Sequence, residues 1–217
     1  MPRQIPRFDQ ALSHQAQTAI GIVRAGEITR TAGGPIGRSE WGIVRLEALH
    51  ELAFLRIFSA WEMCLEAVFF RSLCGYASRA GQETLIRGSY FPDLAAAEAA
   101  VLGGQSFVLW HNPAKVITRC RQHIRSGMAG CPGIQESVIA SSTTRLTHLA
   151  AIRHRIAHDQ SDARSKFDAA TLTFAGRTYP ASRPGKFLRD WGASTPAPNR
   201  WLDIVTNELI NLIAQIV

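Results

Sequence analysis

An all-α fold is predicted by three features of the 217-residue sequence. Apolar residues recur at helical rather than alternating spacing over most of the chain. Capping residues stand where those stripes begin and end. The 46% hydrophobic content, with charged residues at 19% and mean hydropathy of −0.02, supplies a sizeable core and excludes a disordered polymer. The expected architecture is an antiparallel helical bundle in one domain over 1–217. A loop and small β-hairpin at 159–198 would interrupt it before the C-terminal helix.

The elements follow in order. Phe8, Leu12, Ala16, Ala19, Ile20 and Val23 form one stripe, predicted to end near Gly26. A loop with Gly33, Gly34, Pro35 and Gly37 comes next. Ser39 can cap a long helix running to about Cys74, with Val44, Leu52, Leu55, Phe58, Leu65 and Phe69 facing one way. Unbroken, it would measure on the order of 50 Å, so it either breaks near Gly42 or organises a bundle. Asp93 is placed to cap the alanine-rich stretch that stops at Gly103. Asn112 followed by Pro113 opens another helix, closing near Gly127. A helix from about Ile134 to Ala157 carries Val138, Ser142, Leu146, Leu149, Ile152 and Ile156. The alternation in ATLTFAGRTYP predicts the hairpin, turning at Ala175-Gly176. The final helix starts near Asn199, with Trp201, Val205, Leu209, Leu212 and Ile216 on its stripe.

Charge narrows the partners. The net charge is +7, carried by 21 arginines against only Lys115, Lys166 and Lys186. Arginine forks onto phosphates, which suits a nucleic-acid partner, though biased codon usage gives the same balance. Cys64, Cys74, Cys120 and Cys131 form no C-x-x-C pair and read as small buried hydrophobes rather than a zinc or disulfide frame. No apolar run approaches the ~20 residues of a membrane helix, and the first residues lack a secretory signal. A soluble cytoplasmic protein is expected.

No phosphate-binding glycine loop, dinucleotide fingerprint, nucleophile elbow or H-E-x-x-H motif occurs. His154 and His158 stand four apart, a spacing that can hold zinc. A third ligand such as His111 or His148 would have to join them, and ordinary surface histidines account for the pair equally well. Arg153 falls on the apolar stripe beside Leu149 and Ile156, where an arginine is costly unless paired. Glu62 lies on the line of Leu55, Phe58, Leu65 and Phe69 and is the candidate partner, as a structural ion pair or as part of a site. Glu66 is the weaker alternative. His158 comes five residues after Arg153, roughly 140° round the helix and about 7.5 Å along it. The two can share a cleft if the helix ends near Ala157, or if a second copy of the chain supplies the other wall.

The run RHRIAH from Arg153 to His158 resembles the Arg-x4-His signature of HEPN-domain proteins. The helix FLRIFSAWEMCLEAVF is similar to the HEPN helix that contributes an acidic residue, with Trp61-Glu62 in the matching place. The resemblance covers about Glu40 to Cys74, Ile134 to Asp159 and the last helix, roughly half the chain. It implies a helical bundle that forms a homodimer, bringing two Arg-His motifs to one cleft. Many such domains are metal-independent endoribonucleases of toxin–antitoxin or antiviral systems; others are catalytically silent modules that bind a protein or nucleic acid. RNA and an antitoxin protein are the implied partners, with no metal, cofactor or membrane. His158 would serve as general acid or base and Arg153 would stabilise charge at phosphorus. Glu62 would hold Arg153 or polarise a histidine. His154 and Arg155 would support the chemistry or contact RNA.

Overall fold

The computed structural model describes residues 3–81, 83–103, 109–125, 133–192 and 199–217. Among these the fold is all-α: ten α-helices and isolated β-bridges, with no strand. The helices are α1 (Phe8–Ala32), α2 (Gly34–Glu40), α3 (Ile43–Leu73), α4 (Leu94–Leu102), α5 (Pro113–His123), α6 (Ile134–Ser141), α7 (Thr143–Ala157), α8 (Ser161–Ala175), α9 (Pro184–Arg189) and α10 (Trp201–Ile216). No helix among the described residues is long and apolar enough to cross a membrane.

The caps act as their residue types predict. The Asp93 carboxylate accepts from the Ala96 N–H at 2.8 Å, and left-handed Gly103 closes α4. Asn112 accepts from the Lys115 N–H at 3.2 Å with Pro113 in the first turn of α5. That helix ends at His123, four residues before the expected stop at Gly127. In α10 the whole predicted stripe, from Trp201 to Ile216, is buried.

Four boundaries differ from expectation. Helix α1 does not stop at Gly26. That glycine continues the buried face of Leu12, Ala16, Ala19 and Val23, and a Cβ on it would stand 3.1 Å from Leu49 and 3.2 Å from Trp41. It permits close approach rather than a stop. The loop expected at Gly33–Gly37 is largely helix α2, while the helix break allowed for near Gly42 is present, between Glu40 and Ile43. The helix expected over 134–157 is two, parted at Ser142 (φ −110°, ψ 11°). Finally, 159–198 holds no hairpin in its described part. ATLTFA is the end of α8, whose buried Ala163, Phe167, Ala170 and Thr171 keep helical spacing. Gly176, at φ +67°, is the left-handed cap that ends α8, not a hairpin corner.

The chain forms two compact units: Met1–Ala11, Trp61–Thr147 and Ile210–Val217 in the first, Leu12–Ala60 and His148–Leu209 in the second. The core of the first unit includes Phe69 and Trp110, with ring centroids 5.3 Å apart, and Cys120, whose thiol burial pushes up to about 12. Cys64 is likewise buried and raised to about 11, so both behave as small hydrophobes. Cys131 lies outside the described residues.

In the second unit Phe187 is stacked between Trp201 (5.3 Å) and Phe174 (5.9 Å), with Phe167 and Tyr179 edge-on. Phe187 belongs to a strap, 178–191, fastened to α1 and α3 by three carboxylates. Glu27 accepts from Arg189 at 2.6 and 3.1 Å, Glu47 pairs with Arg183, and Glu51 accepts from the Gly185 N–H at 2.7 Å. Gly185 passes so close to the Glu47 carbonyl that a Cβ there would overlap it. The strap thus replaces the predicted hairpin with a charge-fastened crossing.

Candidate functional site

Helix α7 ends at Ala157, yet the His158 N–H still donates to the His154 carbonyl at 2.9 Å. That bond closes the last turn of α7, and residues four apart stack on one face. The His154 and His158 rings meet with centroids 4.6 Å apart, inclined at 51°. His158 is exposed and His154 half-buried. Partial burial, then the nearby positive charges of His158 and Lys166, hold His154 below the ordinary histidine range. That direction favours the neutral form of His154, which can accept a proton.

Arg153 is half-buried at the edge of this pair. Among the described residues no carboxylate or carbonyl bonds its guanidinium, whose charge is felt by His154. The expected Glu62 partner is engaged elsewhere. Glu62, in the first unit, accepts a hydrogen bond from His111 Nδ1 at 3.1 Å. On helix α3 Phe58, Leu65 and Phe69 of the predicted line are fully buried, together with Leu46, Phe54, Ile57, Trp61, Cys64 and Val68, while Val44 and Leu52 are largely exposed. The buried face is broader than the predicted line, and Glu62 is half-buried at its margin.

Arg155 has the opposite fate. Its side chain is only 14% exposed, and its donors are engaged within the second unit. Nε donates to the Ser182 carbonyl at 3.0 Å, and Nη1 reaches the His158 carbonyl at 3.2 Å and Asp159 at 3.0 Å. Asp159 is also bound by Arg164 at 2.7 Å, and these arginines hold its carboxyl below the usual range. Arg155 therefore ties the end of the motif helix to the strap. The turn it grips is unusual: Ala181 and Ser182 both have positive φ, at 57° and 47°. Non-glycine residues pay about 1–2 kcal/mol each for that conformation. The Ser182 hydroxyl donates to the two Asp168 carboxylate oxygens, at 2.9 and 3.0 Å, which offsets part of the strain.

Sequence reasoning missed the strap carboxylates Glu27, Glu47 and Glu51. Glu47 and Glu51 share a helix face with His50 between them, but helical spacing alone gives no sign of partners more than 130 residues away. No group of three or more His, Cys, Asp or Glu among the described residues is arranged to hold a metal.

Comparison with protein-family models, curated proteins and solved structures finds no match to this chain.

Proposed function

We propose that the chain is a metal-independent endoribonuclease of the HEPN type, acting as a homodimer in toxin–antitoxin or antiviral defence. One observation carries this reading: two imidazoles 4.6 Å apart, one exposed and one half-buried, next in sequence to an arginine that no carboxylate bonds among the described residues. RNA supplies its own nucleophile. Neutral His154 takes the 2′-OH proton as that oxygen attacks phosphorus, forming the new P–O bond. Arg153 stabilises the added negative charge with fixed donors. The P–O5′ bond breaks as protonated His158 gives its proton to the leaving oxygen. The products are a 2′,3′-cyclic phosphate and a 5′-OH. Arg155 acts by fixing the end of the motif helix, and Glu62 enters as the partner of His111.

A second reading, a HEPN-like module that binds a protein or nucleic acid without cutting it, draws support from those last two residues. Arg155 and Glu62 are both engaged by internal partners. RNA incubated with the protein in EDTA separates the readings. Cleavage is expected to persist in EDTA, to fall by ~10²–10⁴-fold in His158→Ala, and to stop where the cleaved nucleotide is 2′-deoxy. Undiminished cutting at the 2′-deoxy position refutes the mechanism. RNA binding with no cleavage by the unaltered protein selects the binding module.

A further inference from the structure

Outside the motif, the second unit contains a cleft of about 530 Å³, within the usual size range of small-molecule sites. Its cations are Arg177, Arg183, Lys186, Arg189 and Arg200, against two lining carboxylates, Glu47 and Asp190. Those carboxylates are committed: Glu47 pairs with Arg183, and Asp190 pairs with Arg177 while accepting from the Tyr179 hydroxyl at 2.6 Å. Arg189 is neutralised by Glu27, and Arg200 shares the same carboxylate at 3.5 Å. Lys186 is exposed and has no ion-pair partner among the described residues. Arg183 gives one Nη to Glu47, and its other donors have no partner among the described residues. The cleft therefore offers a surplus of positive charge around donors still able to take an anion.

The same cleft displays an aromatic surface. Trp191 is 54% exposed, unusual for the largest apolar side chain. Its position is fixed from three directions. Trp191 forms a β-bridge with Arg200, the Gly192 N–H donates to the Asn199 carbonyl at 2.8 Å, and the Trp201 N–H donates to the Asp190 carbonyl at 2.9 Å. The Arg200 guanidinium lies 4.6 Å over the indole and is itself held by the Arg189 carbonyl and Glu27. An exposed tryptophan backed by an arginine is a stacking platform for a planar base, because every base has a π-face.

We propose that this cleft binds a nucleoside phosphate, its base stacked on Trp191 and its phosphate held by Lys186 and Arg183. The inference does not rest on the ribonuclease reading, because no residue of the Arg153–His158 motif lines the cleft. The ligand is either a free nucleotide or one unit of a strand, and the two sources share this chemistry.

Isothermal titration of the full chain tests it without any turnover. The probes are AMP, GMP, CMP and UMP, then adenosine, ribose 5-phosphate and a 2′-O-methyl oligonucleotide that cannot be cleaved through the 2′-oxygen. At least one mononucleotide is expected to bind saturably, with adenosine and ribose 5-phosphate weaker by about tenfold or more. Trp191→Ala is expected to weaken binding about tenfold, the size of one lost base–aromatic stack, while Trp191→Phe keeps most of it. Lys186→Glu should weaken nucleotide binding at least as much and leave the melting temperature unchanged. An oligonucleotide that binds about tenfold tighter than any mononucleotide identifies a strand as the source; equal affinity identifies the free nucleotide. Absence of saturable binding by every nucleotide and by the oligonucleotide overturns the proposal. So does binding that Lys186→Glu leaves intact, even if Trp191→Ala fails to fold.

Discussion

The last turn of α7 and the strap at 178–191 are joined through Arg155, but they treat their polar groups in opposite ways. At the helix end His154, His158 and Arg153 are partly or fully exposed, and among the described residues no carboxylate bonds any of them. In the strap nearly every charge is matched: Arg183 with Glu47, Arg189 with Glu27, Arg177 with Asp190. Pairing fastens the crossing beside the buried Tyr179, Phe187 and Leu188. Leaving groups unpaired does nothing for stability and makes them available to a substrate. Two arginines of one hexapeptide fall on different sides of this division, which makes them the sharpest test of it.

Arg155→Ala strands the Ser182 and His158 carbonyls and releases the left-handed turn. A hydrogen bond from a charged donor contributes about 1.5–3 kcal/mol, and the exposed His158 carbonyl counts for less than the part-buried Ser182 carbonyl, so a loss of about 2–4 kcal/mol is expected in urea unfolding. Arg153→Ala removes no hydrogen bond among the described residues and should change stability by less than ~1 kcal/mol, while on the proposed mechanism RNA cleavage should fall by orders of magnitude. Equal destabilisation by the two substitutions would abolish the distinction between a clamp and a site.

That distinction was only half legible in the sequence. The caps at Asp93 and Asn112 and the stripe of α10 were readable because each depends on residues within a few positions. The hairpin was misread because Thr-Leu-Thr-Phe alternates, and alternation over four residues fits a strand or a helix equally. The threonines settle it by bonding back along the helix: Thr173 Oγ1 donates to the Ala169 carbonyl at 3.0 Å. Helix α3 is apolar over much of its circumference, so spacing alone does not say which neighbour Glu62 meets, and the residue it bonds is His111. The RHRIAH motif showed where a site could stand. It could not show which arginine would be left free, because Ser182 lies 27 residues beyond Arg155.

A smaller test lies beside the strap carboxylate Glu27. His50 is fully buried, donating from Nδ1 to the Leu46 carbonyl at 2.7 Å, and burial holds its proton affinity below that of an exposed histidine. Glu27, 3.9 Å from Nε2, pulls the other way, while Arg189 and Arg200 add to the depression. The sign follows from linkage. Below about pH 6.5 the unfolded chain takes up the His50 proton and the folded chain resists it, so stability falls as pH drops toward the folded-state value. His50→Asn keeps a donor for Leu46 without the titration. The stability difference between the unaltered protein and this variant should shift in favour of the variant from pH 7 to pH 5. Its slope cannot exceed one proton, about 1.4 kcal/mol per pH unit. Parallel curves would show that His50 titrates alike in both states.

The smallest expected effects separate strain from its restraint at adjacent residues. Ala181 is exposed, lies at φ 57° and ψ 22°, and its side chain makes no hydrogen bond. Glycine adopts that conformation without the Cβ penalty, but it also gives the unfolded chain more freedom. The two terms leave Ala181→Gly more stable by about 0.5–1 kcal/mol. Ser182, at φ 47°, carries the same backbone strain, yet its hydroxyl is the donor to Asp168. Ser182→Gly relieves a similar strain while removing a hydrogen bond to a carboxylate, worth about 1.5–3 kcal/mol. Its sign is therefore reversed, a net loss of about 1 kcal/mol. Thermal melts of the two variants read the difference directly. If both raise the midpoint, the Ser182–Asp168 bond does not restrain the turn, and Arg155 holds it alone. If both lower it, the left-handed pair is not strained, and the strap rests on its carboxylates.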